Sequence, residues 1–166
     1  MSIFWIFTFI SIHLNPWFDI SRCTFSKLGK IGLANYPWVF SAGTMIGGIF
    51  MICYGIEIIR NTTRKLQTVG GSYVLLSGVF MMLVGLFPDG TKPHDFIALS
   101  TFLLFYTGIM LFGVGNSKKS LKLSTTLVFI MALAGLLCPC WASLGYLEIY
   151  GLILVIFDII LLLAFA

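Results

Sequence analysis

Apolar residues in this chain come in six long runs separated by short polar breaks, at roughly residues 3–18, 38–59, 68–87, 96–114, 123–140 and 147–166. Each approaches the ~20 residues that a helix needs to cross ~30 Å of hydrocarbon. Backbone N–H and C=O groups find no water partner in lipid, so a spanning segment must close its own hydrogen bonds as a helix. The pattern therefore predicts an all-α, polytopic transmembrane bundle of about six spans, occupying residues 1–166 as one domain. The first run is short and ends at Asn15-Pro16. It has neither a basic start nor a small-residue cleavage site, so it is read as a span and not as a signal peptide.

The polar breaks set the orientation. The second and fourth loops carry six basic residues (Arg60, Arg64, Lys65, Lys118, Lys119, Lys122), against four (Arg22, Lys27, Lys30, Lys92) in the odd-numbered loops. The positive-inside rule then puts loops two and four, with both termini, in the cytoplasm. Trp17, Tyr36, Trp38, Trp141 and Tyr146 fall at the opposite, outer ends as an aromatic belt. Within the first loop, 19–36, Ser21 is placed to cap a short helix, and Phe25, Leu28 and Ile31 recur at spacings of three beside Lys27 and Lys30. That segment is expected to form an amphipathic helix on the outer leaflet, the alternative being an irregular loop packed on the bundle.

Composition agrees with this picture. Hydrophobic residues make up 59% of the 166 and charged ones only 10%, whereas soluble domains carry about 25% charge. So few charges leave no basic surface for nucleic acid, and the cell membrane is the expected location. Glycines supply the packing surfaces. Gly43 and Gly47 make a small-xxx-small pair, and Gly71, Gly78 and Gly85 repeat every seven residues. Lipid tails are as apolar as Leu, so close backbone approach must drive helix association.

Two stretches carry a family resemblance. One runs Asn15-Pro16-Trp17-Phe18-Asp19-Ile20, then Thr24-Phe25-Ser26-Lys27-Leu28-Gly29, then Pro37-Trp38-Val39-Phe40. The other is Gly85-Leu86-Phe87-Pro88-Asp89, with His94 shortly after. Together they resemble the prokaryotic, largely archaeal and bacterial, membrane family named domain of unknown function 998. The resemblance implies a six-helix bundle over nearly the whole chain and assigns no activity. Where that family has an acidic residue between the Ser and Leu of its Ser-x-Leu-Gly motif, this chain has Lys27. A role needing a carboxylate there is not carried over.

The residues capable of chemistry collect at the outer side. Ser26, His94 and Asp89 are the candidate catalytic set of an intramembrane hydrolase or lipid-modifying enzyme, with a hydroxyl activated by an adjacent base. Asp95 and Asn15 complete a candidate outer-face polar site. The bland reading is that Ser26 bonds within its loop and that Pro93-His94-Asp95 starts a helix. Cys138, Cys140 and His94 suit Zn²⁺ or Cu(I). On an oxidising outer side, however, a disulfide from Cys23 to Cys138 or Cys140 is favoured. His13 and His94 are the only histidines, a thin basis for haem ligation. No cofactor and no metal is therefore predicted. Glu57 is expected to pair with Arg60 at the interface. Asp158, deep in the last run, must face the bundle and either pair or be protonated; a small transporter using it is one more alternative. The reading that accounts for most of the chain is non-enzymatic. In it, the protein binds membrane lipid or an apolar ligand, docks as an accessory subunit of a larger complex, or forms a homo-oligomer.

Overall fold

A computed structural model describes residues 2–20 and 22–115. Its described part is all-α: α1 (Ser2–Leu14), a 3₁₀ turn (Phe25–Gly29), α2 (Pro37–Asn61), α3 (Lys65–Leu86) and α4 (His94–Gly115). The last three, of 25, 22 and 22 residues, are long and apolar enough to cross a membrane. The predicted runs at 123–140 and 147–166, with Cys138, Cys140 and Asp158, lie outside the described residues.

The 13 residues of α1 reach only about 20 Å at 1.5 Å per residue. The helix stops at Leu14 although the apolar run continues to Phe18. Pro16 explains the stop, because the residue before a proline is pushed out of the α region. Asn15 closes the end instead, its N–H donating to the Ile12 carbonyl at 3.0 Å. The polar residues Lys65 and Gln67 extend α3 by a turn before its apolar run begins.

Helix α3 packs chiefly on α2 and α4, and α1 packs on α2. Glycine sets the spacing at each interface. Gly71, Gly78 and Gly85 all face α2: a Cβ on Gly78 would sit 2.8 Å from the Gly48 carbonyl oxygen, and one on Gly85 would sit 2.6 Å from that of Ser41. The answering glycines on α2 are Gly48 and Gly55, again seven apart, while Gly43 faces Phe7 of α1 and Gly47 lies between Phe4 of α1 and Met81 of α3. Between α3 and α4 the contact is reciprocal, Gly70 against the Gly108 oxygen (2.7 Å) and Gly108 against the Gly70 oxygen (2.9 Å). A period of seven is the mark of near-antiparallel helices meeting at shallow angles.

The segment between α1 and α2 differs from the expected amphipathic helix. It is a five-residue 3₁₀ turn wedged into the bundle. Three residues per turn put side chains at i and i+3 on one face, so Phe25 and Leu28 point inward together. Leu28 is 0% exposed. Phe25 stacks on Phe18 (5.7 Å) and meets Trp5 edge-on (5.7 Å). Phe40 of α2 joins them in one core, with Phe4 and Ile12 packed alongside. Ile31, the third member of the series, falls beyond the turn and is 74% exposed.

Candidate functional site

The polar residues singled out in the sequence gather where the wedge meets the α1–α2 and α3–α4 corners. Gly29 ties the first to the second: a Cβ there would lie 3.2 Å from Phe40 Cδ1 and 3.9 Å from Pro88 Cβ.

At the α1–α2 corner Asn15 is 1% exposed and fully engaged. Its Nδ2 donates to the Ser11 carbonyl at 2.7 Å. Its Oδ1 accepts from Trp17 Nε1 at 3.0 Å and from the Asn35 N–H at 2.8 Å. Asn35 returns the contact, donating Nδ2 to the Leu14 carbonyl at 2.7 Å. The two asparagines clasp the end of α1 to the approach to α2.

The α3–α4 corner is a tight turn. The Thr91 N–H and hydroxyl both donate to the Pro88 carbonyl, at 3.1 and 2.9 Å. Gly90 sits at φ +92°, the left-handed conformation that the third residue of a type II turn requires. His94 opens α4, buried, with Nδ1 2.8 Å from the Phe87 carbonyl. A carbonyl only accepts, so Nδ1 carries the proton of this bond. Asp95, exposed in the first turn of α4, lies where a helix N-terminus favours negative charge. Lys30 reaches across from beyond the wedge, its Nζ 3.8 Å from Asp89 Oδ2.

This geometry brings Asp89, His94 and Asp95 together, with one ligand atom of each within 4.8 Å of the others. It does not join Ser26 to them by a hydrogen bond. The Ser26 hydroxyl donates to Thr24 Oγ1 at 3.0 Å, inside its own turn. The nucleophile and the base are thus each bonded locally. Cys23 lies 3.9 Å from Lys27 Nζ and forms no disulfide with a described residue. His13 is exposed at the end of α1. At the opposite end of the bundle Glu57 accepts from Asn61, one turn on, rather than pairing with Arg60. Arg64 Nη1 donates to the Gly115 carbonyl at 2.8 Å, covering the end of α4. The sequence reading missed Lys30, Thr24 and Asn35 as partners. It did place Asp89 and Asp95 beside His94, and their short separation along the chain was the available signal.

A family model described as "Protein of unknown function (DUF998)" matches residues 1–165. The chain belongs to that family. Neither a curated protein nor a solved structure matches it. For this DUF998 protein, then, chemistry has to be argued from its own side chains. Those described here are mostly occupied in holding two helix corners together.

Proposed function

We propose that this DUF998 protein is a non-enzymatic, multi-pass protein of the cell membrane that binds lipid or an apolar ligand, or docks as an accessory subunit, through its wedge end. In this reading it has six spans, the last two formed by 123–140 and 147–166, and both termini are cytoplasmic. One contrast at the wedge end carries the proposal. Ser26, Asn15 and His94 spend hydrogen bonds on their own chain, while large apolar side chains stay outside. Trp38 is 65% exposed, and Ile20, Ile31, Leu33 and Tyr36 are exposed with it. Such a surface offers a partner contact area and aromatic anchoring, not a reacting group.

The test is native mass spectrometry of the full chain extracted from its own membrane, beside chemical crosslinking in that membrane. Retained lipid or a crosslinked partner, lost on Ile31→Asp, is the expected result. A chain that carries neither overturns the reading. Covalent labelling by a serine-directed fluorophosphonate, abolished by Ser26→Ala, would replace it with the hydrolase.

A further inference from the structure

We propose that Asp89, His94 and Asp95 form a binding site for a divalent transition ion of the Zn²⁺ class, with Lys30 holding Asp89 when the ion is away. The inference is independent of the docking reading. It starts from His94, which is 3% exposed. Its Nδ1 donates to the Phe87 carbonyl, and its Nε2 makes no hydrogen bond among the described residues. Nε2 is not among the described buried atoms shut off from every partner, so water or an ion can reach it. A ring whose one nitrogen is fixed by a backbone carbonyl while the other is free is the arrangement of metal-bound histidine. The carbonyl sets the tautomer, orients the ring and raises the basicity of the free nitrogen.

The two carboxylates supply the rest. One ligand atom from each of the three residues lies within 4.8 Å of the others, against about 3.4 Å between neighbouring ligands of a tetrahedral ion with bonds near 2.1 Å. Asp95 is exposed at the start of α4, and Asp89 stands in the turn beside Gly90. His94 stays fixed while both acids swing onto the ion, and water completes the shell. One imidazole nitrogen with two carboxylate oxygens suits Zn²⁺. Ca²⁺ and Mg²⁺ take oxygen shells, and Cu(I) prefers thiolates.

Lys30 stands in for the ion's charge. Its Nζ is 3.8 Å from Asp89 Oδ2 and its side chain is well exposed, so the contact is loose and gives way to a dication. The ion would then bond the α3–α4 corner to itself and release the segment that follows the wedge.

The experiment uses the full chain in detergent micelles, stripped by chelator and titrated with Zn²⁺ alone, reading bound ion by equilibrium dialysis and the thermal midpoint in parallel. One ion per chain, binding saturably and raising the midpoint, is expected. Asp95→Asn should weaken binding at least tenfold while its metal-free midpoint stays close to wild type, which separates lost ligation from lost folding. His94→Gln should abolish binding, and Cys23→Ser, Cys138→Ser and Cys140→Ser should leave it unchanged. The proposal is overturned by an absence of saturable uptake, or by affinity that survives both Asp89→Asn and Asp95→Asn. A Lys30→Gln chain that binds no more tightly than wild type overturns the exchange with Lys30.

Discussion

Replacing Gly78 by alanine tests whether backbone contact, and not side-chain burial, holds α2 against α3. The new methyl would lie 2.8 Å from both the Gly48 carbonyl oxygen and the Ile52 nitrogen, where ordinary contact begins at 3.4 Å. Both neighbours are backbone atoms, so no rotamer change relieves the clash and the helices must part by about 0.6 Å, an overpacking that costs about 1–3 kcal/mol. Parting also loosens the close approaches along the same seam, Gly55 to Leu75 and Gly71 to Ile58, because a gap of that size forfeits roughly a quarter of each dispersion contact. Against this stands the better helix propensity of alanine, worth about 1 kcal/mol. The net expectation is a loss of about 1–2 kcal/mol. Gly48→Ala should behave alike, since its methyl would lie 2.6 Å from the Gly78 oxygen. The double variant should then fall short of the summed losses by about 0.5 kcal/mol or more, because helices already moved apart accommodate the second methyl. Unfolding of the purified chain by SDS titration in mixed micelles, followed by far-UV circular dichroism, measures all three, with exposed Cys53→Ala as control. If both single variants are as stable as that control or more stable, propensity is acting alone and the close approach is refuted.

The other predictions concern the corners and the wedge, and the same SDS titration reads each. Asn15→Leu removes the acceptor for Trp17 Nε1 and the Asn35 N–H, and two donors left unpaired should cost about 2 kcal/mol or more; Asn15→Asp, which keeps that acceptor, should cost less. Leu28→Ala empties a fully buried position and should cost about 2–5 kcal/mol, with a change in tryptophan emission because Trp5 packs on the wedge through Phe25. Arg64→Ala removes a cationic donor from the Gly115 carbonyl and should cost about 0.3–1 kcal/mol, less at high salt.

The described helices could be read from the sequence because lipid leaves an apolar run one backbone solution, and their ends moved only where a proline or a polar turn intervened. The glycine series at 71, 78 and 85 was legible too, as a smooth stripe. Its partner was not: Gly48 and Gly55 sit among other small residues of α2, and the shorter spacing of Gly43 and Gly47 drew attention first. Gly43 of that pair faces Phe7 of α1, and Gly47 meets both Phe4 of α1 and Met81 of α3. One helix thus carries two packing faces, and a one-dimensional pattern does not say which neighbour each face meets.

The form of the wedge and the partners of the polar residues were hidden in the sequence for a shared reason. The spacing of Phe25 and Leu28 fits a 3₁₀ turn as well as an interfacial helix, and the choice between them depends on what they touch. Trp5, Phe18 and Phe40 come from both sides of the wedge along the chain, and together they offer an aromatic slot that lies inside the protein. Burial there removes Phe25 and Leu28 from contact with lipid or water, so no amphipathic face remains for a leaflet. The partners of the polar residues were hidden in the same way, because several of them are backbone groups that no residue name reveals. The Phe87 carbonyl accepts the hydrogen bond of the His94 Nδ1–H and so fixes where that proton sits. A ring held so leaves Nε2 without a hydrogen-bond partner among the described residues, and two carboxylates beside the ring attract cations whether or not a hydroxyl is near. The chemistry at this corner therefore turns on which cation arrives, and Lys30 is the one already attached to the chain.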